Sequence, residues 1–205
     1  MKLLFIESRK KISKEEERNL TNNIAEIRKL GNIHILYSIQ YKKIAELIRK
    51  QLGSRVIAFQ QVLGCSIIKP KANLLLIGSG RFHALQIAMQ TGKEVYVYNN
   101  SISKISKEEI KDERKKRNGK LLKFYFSDNI GIIVSVKPGQ NNMHQAIKLK
   151  KKFKNKNFYF FLADNINIQE LENFPCFFIN TACPGISLDS DKLINYENAL
   201  FNRVL

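Results

Sequence analysis

The chain has no tryptophan, four prolines and three cysteines, and it sets 18 acidic residues against 35 Lys and Arg. An odd number of cysteines without a paired framework excludes a disulfide-stapled secreted module. Cys65, Cys176 and Cys183 also lack the close C-x-x-C spacing of a local metal knuckle. No stretch approaches the roughly 18 apolar residues of a membrane span. The start, Met1 to Ser8, holds only the short apolar run Leu3 to Ile6, against about 7–15 residues in a signal-peptide core. These absences predict a soluble, cytoplasmic protein with reduced thiols and no membrane partner. No clean internal sequence repeat is present.

What is present begins with an ordinary core. Hydrophobic residues make up 44% of the 205, too many for a disordered chain. The formal charge of +17 raises the question of nucleic acid or an acidic partner. The lysines are spread along the chain amid abundant Asn and Ile, which is the pattern of a compositional bias. Nucleic acid is therefore not the expected partner. The Lys148 to Lys156 run reads as a solvated helix face and loop.

Strand and helix signals alternate. Leu3 to Glu7, Ile33 to Tyr37, Arg55 to Phe59, Asn73 to Ile77 and Glu94 to Tyr98 read as strands. Ser13-Lys14-Glu15-Glu16 is a capping box that opens a helix to about Leu30. Ile44, Leu47 and Ile48 give the apolar face of a second helix, closed by Gly53, and a third runs from about Ala84 to Gln90. Ser106-Lys107-Glu108-Glu109 is a second capping box, and the charged helix it opens, through Arg117, reads as a connection. Beyond it, strands are expected over Ile130–Val136, Phe158–Leu162 and Cys176–Asn180, with helices at Asn142–Lys152 and Ile168–Phe174. Such alternation argues a parallel sheet with right-handed crossovers. The expectation is two similar small parallel-sheet α/β domains, 1–105 and 120–205, joined by a helical connection over 106–119.

The chemistry gathers where apolar runs end in turn residues, since a parallel sheet presents functional groups at the carboxyl ends of its strands. Val62-Leu63-Gly64-Cys65 is one such place; Ile179-Asn180-Thr181-Ala182-Cys183-Pro184-Gly185 is the other. Cys65 and Cys183 abut turns and are candidate ligands, whereas Cys176 lies inside an apolar run and reads as a small buried hydrophobe. Gly78-Ser79-Gly80 follows a strand and precedes a helix, a turn that lets backbone amides approach an anion. Arg81 and His83 beside it strengthen a ligand reading, though such a turn is as often structural. Lys137-Pro138-Gly139-Gln140 reads as the matching turn of the second domain, and equally as a plain type II turn. His34 and His144 carry no evident chemistry.

Four segments together, VLGC (62–65), LLLIGSGRFHALQIAMQTGK (74–93), GIIVSVKPGQ (131–140) and INTACPGISLD (179–189), resemble the 2-(3-amino-3-carboxypropyl)histidine synthases. They lie in that family's order and cover nearly the whole chain. The resemblance implies a transferase of diphthamide biosynthesis using a [4Fe–4S] cluster and S-adenosylmethionine. It implies radical transfer of the aminocarboxypropyl group to C2 of a histidine on translation elongation factor 2, fed by an electron donor. It implies three related α/β domains, each giving one cysteine ligand, of which this chain carries the second and third. By position, Cys65 and Cys183 are then the metal ligands. Gly78, Ser79, Gly80, Arg81, Phe82 and His83, with Pro138, Gly139 and Gln140, line the cofactor pocket. The family's first domain is missing, so a partner chain is expected to supply it together with the third ligand. Gly185 stands where the family usually has Arg. A non-catalytic partner subunit of the synthase, and a basic α/β module for RNA or the ribosome, are the alternative readings.

Overall fold

The computed structural model describes residues 11–64 and 66–201. The expected strand over Leu3–Glu7 lies outside the described residues. The chain divides into two compact units, Met1–Ile110 and Lys111–Leu205.

In the first unit α1 (Lys14–Lys29) starts at the expected capping box. The Ser13 hydroxyl accepts from the Glu16 N–H at 3.2 Å, and the Glu16 carboxylate accepts from the Ser13 N–H at 3.0 Å. Then follow β1 (Ile33–Tyr37), α2 (Lys42–Leu52), β2 (Val56–Gln61), β3 (Asn73–Ile77), α3 (Arg81–Thr91), β4 (Val95–Tyr98) and β5 (Ile102–Lys104). The sheet order is β2-β1-β3-β4-β5, parallel except for the last strand. Strand periodicity divides its side chains between two layers. Ile33, Ile35 and Tyr37 pack with Ile27 of α1 and Ala45 and Ile48 of α2. Leu36, Leu74 and Leu76 pack with Ala84 and Ala88 of α3. His34 is buried in β1, where desolvation and then the Lys71 charge push its pKa below the usual histidine range. The Tyr98 hydroxyl is buried too, and desolvation and then Glu16 raise its pKa.

The helix opened by Ser106, α4 (Lys107–Phe126), runs well past Arg117. Its later turns carry Leu121 and Phe124, both fully buried in the second unit's core. That burial extends it where charge alone predicts an end. Beyond it lie β6 (Asn129–Ser135), α5 (Met143–Lys152), β7 (Asn157–Ala163), α6 (Ile168–Leu171), β8 (Phe177–Asn180), β9 (Leu193–Asn195) and α7 (Tyr196–Phe201). This sheet is all parallel, in the order β7-β6-β8-β9. One face packs Ile130, Ile132, Val134 and Ile179 against α4, α5 and α7. The other is thinner, with Ile133, Phe178 and Leu193 buried. Both units therefore use one strand order: β6, β7, β8 and β9 take the places of β1, β2, β3 and β4.

The thin face is held by aromatic stacking over Gly131. Phe161 and Phe178 meet edge to face at 5.3 Å, and Phe174 meets Phe161 at 4.9 Å. A methyl group on Gly131 would fall inside van der Waals distance of the Phe178 ring and 2.9 Å from Phe161 Cε2. Phe178 is 1% exposed and has no room to turn. Gly131→Ala is therefore expected to destabilise the second unit by about 1–3 kcal/mol. Urea unfolding followed by circular dichroism measures this, and an unchanged midpoint would show that the rings yield freely.

Candidate functional site

At the carboxyl end of the first sheet, β1 and β3 are neighbours whose following chains leave in opposite directions. Such a topological switch point is where open α/β sheets hold ligands. Ser38 follows β1 and Gly78-Ser79-Gly80 follows β3. The Ser38 N–H donates to the Ile77 carbonyl at 3.3 Å, and the Gly78 N–H donates to the Tyr98 carbonyl at 3.2 Å. A Cβ on Gly78 would sit 3.2 Å from Ser38 Oγ, and one on Gly80 would sit 2.9 Å from His83 Nδ1. Glycine thus allows the turn to close on its neighbours.

The helix after this turn begins earlier than the sequence suggests. Gly80 is its N-cap, without a side-chain cap, so Arg81, Phe82 and His83 form the first helical turn. The three residues then point to different places. Phe82 and His83 meet edge to face at 5.5 Å. Both approach the loop after β2: a Cβ on Gly64 would be 3.5 Å from Phe82 Cε1 and 3.8 Å from His83 Nε2. Burial pushes the His83 pKa down, favouring a neutral ring. In that loop the Leu63 N–H donates to Ser66 Oγ at 2.8 Å. Cys65, the expected ligand there, lies outside the described residues.

Arg81 is engaged elsewhere. Its guanidinium donates to both carboxylate oxygens of Glu109, at 2.7 and 2.6 Å, and to the Lys104 carbonyl at 3.2 Å. Glu109 also completes the second capping box, accepting from the Ser106 N–H at 2.8 Å. One carboxylate therefore ties the start of α3 to the start of α4.

In the second unit the switch point lies between β6 and β8. The Thr181 N–H and hydroxyl both donate to the Ile133 carbonyl, at 3.1 and 2.8 Å. Asn142 Nδ2 donates to the Thr181 carbonyl at 2.6 Å. Asn180, 1% exposed, donates to the Cys183 carbonyl and to Asn195 Oδ1, both at 2.8 Å, and accepts from the Ala182 N–H at 2.9 Å. Asn195 Nδ2 donates to the Pro184 carbonyl at 3.0 Å. The backbone around Cys183 is thereby held on both sides while its side chain is exposed. Cys176 stands just before β8, packs on the thin face and has its thiol pKa raised by burial. That environment suits an inert thiol.

Lys137-Pro138-Gly139-Gln140 forms the type II turn: Gly139 has φ +77° and the Gln140 N–H donates to the Lys137 carbonyl at 3.0 Å. It follows β6, which takes the place of β1. It therefore corresponds to the segment after Ser38, and the counterpart of Gly78-Ser79-Gly80 is Thr181-Ala182-Cys183. The sequence pairing of the two glycine turns is corrected by strand order.

Sequence reasoning missed the roles of Asn180 and Asn195 and, though it read Glu109 as part of a capping box, the pairing of Glu109 with Arg81. The runs Phe177-Phe178-Ile179-Asn180 and Leu193-Ile194-Asn195 do carry a signal: each ends a short apolar strand in a residue that must be hydrogen-bonded when buried. Among the described residues no group of three or more His, Cys, Asp or Glu is placed to hold a metal ion. Cys183, exposed on a fixed backbone, fits a single thiolate ligand. Among the described residues no helix is long and apolar enough to cross a membrane.

Comparison with known proteins bears on this arrangement. The family model described as "Putative diphthamide synthesis protein" matches residues 1–201. A 2-(3-amino-3-carboxypropyl)histidine synthase of Methanocaldococcus jannaschii is 33% identical, covering 92% of this chain and 57% of its own length. The synthase of Pyrococcus horikoshii is 32% identical, covering 83% and 55%. The crystal structure of Dph2 from Pyrococcus horikoshii superposes with a TM-score of 0.76 at 27% identity, over 89% of this chain and 60% of that one. A second structure, of Dph2 with a 4Fe-4S cluster, gives 0.76 at 28% identity and the same coverage. This chain spans less than two thirds of the length of each.

The Arg81–Glu109 pair generates a test. The Arg81 hydrogen bonds, then the Ser106 N–H, lower the Glu109 pKa to about 2 from 4.5. A depressed carboxylate stabilises the fold above its unfolded pKa, and that contribution is lost as pH falls through the folded value. Both side chains are partly exposed, so Glu109→Gln is expected to cost about 0.5–1 kcal/mol at pH 7. Thermal unfolding should show the gap to wild type narrowing as pH falls from 4.5 towards 2.

Proposed function

The chain belongs to the diphthamide synthesis protein family, and from that premise we propose that it forms two α/β units of a 2-(3-amino-3-carboxypropyl)histidine synthase. The units are the family's second and third domains. The observation that carries this reading is the fixed, exposed Cys183 at a switch point, in a chain whose structural neighbour is a Dph2 bearing a 4Fe-4S cluster.

Cys183 and Cys65 are the thiolate ligands of this reading. With the Gly78 N–H spent on the Tyr98 carbonyl, Ser79, Gly80 and the start of α3, which has no side-chain cap, offer N–H groups to the carboxylate end of S-adenosylmethionine. Phe82 and His83 give that turn an apolar wall, and Pro138, Gly139 and Gln140 are the cofactor contacts of this reading in the second unit. Arg81, spent on Glu109, positions the turn and leaves its backbone N–H to the ligand. When bound, a [4Fe–4S] cluster supplies the electron that cleaves the sulfonium bond to the aminocarboxypropyl carbon. The acceptor is a histidine of translation elongation factor 2, and an electron donor completes the cytoplasmic system. Two thiolates hold a cluster poorly, since three or four are usual. A partner chain with the family's first domain supplies the third.

The test is anaerobic reconstitution with and without that partner, followed by iron counting and product analysis. With the partner, the assembly is expected to hold four irons and release methylthioadenosine; deoxyadenosine as main product would overturn the reading. Cys183→Ala should remove most of the iron and Cys176→Ala none. A non-catalytic subunit reading is favoured by Gly185 in place of the family's Arg, which removes a basic contact beside Cys183. It predicts unchanged product formation by the partner after Cys183→Ala.

A further inference from the structure

The even spread of lysines that argues against nucleic acid in the sequence is not kept in the fold. Residues 111–156 hold 14 Lys and Arg against three Asp and Glu, whereas residues 157–205 hold two against six. The first stretch is α4 from Lys111, then β6, α5 and the loop into β7. Both of its helices lie on one face of the second sheet, over Ile130, Ile132 and Val134. The opposite face is covered by Ile166, Leu171 and Ile186 of the second stretch. From that stretch α7 adds Glu197 to the first face. One side of the unit is therefore strongly basic, the electrostatic footprint of a polyanion.

The C-terminal ends of α4 and α5 meet on this side. Phe124 and Phe153 stack edge to face at 5.1 Å, and the Lys156 ammonium donates to the Tyr125 and Ser127 carbonyls at 2.8 and 2.7 Å. Three apolar side chains stand outside this junction. Phe126 is 85% exposed, and Leu122 and Tyr125 are half-exposed. Helical spacing puts Lys115, Leu122 and Phe126 on one stripe. Lys123 on α4, Lys151 at the end of α5 and Lys154 just after it are exposed as well. Among the described residues, Lys115, Lys123, Lys151 and Lys154 make no ion pair. Lys152 and Lys156, by contrast, are spent on backbone carbonyls.

A solvated lysine face needs no aromatic ring. A ring left in water beside unpaired cations fits a partner that is both anionic and planar. Unpaired nucleic acid offers phosphates to the ammonium groups and base faces to the rings. A protein partner fits less well, since lysine is depleted from protein interfaces. A lipid surface also fits less well, because it takes a long apolar helix face. Here α4 turns Leu121 and Phe124 inward and leaves only its last turns apolar outside. We infer that the α4–α5 face of the second unit binds a single-stranded segment of RNA. Lys115, Lys123, Lys151 and Lys154 meet its phosphates, and Phe126 and Tyr125 stack on its bases. Loops and ends are where RNA splays its bases out for such stacking. Lysines and rings read no base edges, so the preference for sequence is weak.

This binding is independent of the cluster chemistry and is tested without iron. The probe is a fluorescent oligouridylate of about 12 nucleotides, titrated with the full chain. Anisotropy should report a binding constant whose logarithm falls with the logarithm of salt concentration at a slope of about −3, for four phosphate contacts. Phe126→Ala should weaken binding about tenfold with circular dichroism unchanged. Lys123→Gln with Lys154→Gln should reduce the slope by about 1.4. Lys50→Gln with Lys93→Gln removes the same charge from exposed positions of the first unit and should leave the slope unchanged. A duplex of the same length, its base faces hidden, should bind more weakly than the single strand. No binding at low salt, equal effects of the two lysine pairs, a duplex bound as tightly, or an unaffected Phe126→Ala chain would overturn the proposal. So would displacement of the probe by polyglutamate of matched charge, which marks an acidic protein as the partner. Phe126-dependent binding to phosphatidylserine vesicles without binding to the probe would overturn it in favour of a membrane.

Discussion

Both candidate sites depend on one constraint: a parallel sheet must reverse its winding direction somewhere. At that point the chain leaving one strand and the chain leaving its neighbour part to opposite sides. The last backbone groups of those strands then have no helix above them and must be satisfied by loops. In the first unit this falls between β1 and β3, and the Ser38 and Gly78 N–H groups reach across to neighbouring strand ends. In the second it falls between β6 and β8, where Thr181 spends both its N–H and its hydroxyl on the Ile133 carbonyl.

The two crevices meet this demand differently. The first is closed by close approach: glycine at 78 and 80 lets Ser38 and His83 come near. The second is closed by side chains. Asn180 and Asn195, joined at 2.8 Å, hold three backbone groups of the Ala182–Pro184 segment. A buried network of this kind specifies a conformation only when every member is satisfied. Here the amide groups of both asparagines are met by backbone or by each other. That leaves the Cys183 side chain as a polar group turned outward from a rigid base.

The legible part of this in sequence was local. The capping boxes at Ser13 and Ser106 are short-range signals, and both form as read. Asn73–Ile77 reads as a strand because four consecutive apolar residues end in glycine, and it sits buried at the sheet centre. What was not legible was non-local or too short. Strands β5 and β9 have three residues each, which carry no period. The Arg81–Glu109 pair joins residues 28 apart in sequence, and Asn180–Asn195 joins residues 15 apart. The early start of α3 escaped because its first turn lacks the usual polar cap and is preceded by glycine.

Strand order settles which turns are equivalent, and the outcome bears on how one fold can serve two tasks. Gly78-Ser79-Gly80 and Thr181-Ala182-Cys183 occupy the same place in the two units. After the first comes an eleven-residue helix, α3, with no side-chain cap at Gly80. After the second comes Pro184, which has no N–H to offer, and a short 3-10 turn from Pro184 to Asp189. What the second presents there is a thiol on a fixed backbone. Equivalent positions in two units with one strand order thus differ locally: a helix start without a side-chain cap in one, an exposed thiol on a hydrogen-bonded backbone in the other. Such a division requires no change in the sheets, only in the three or four residues that leave them.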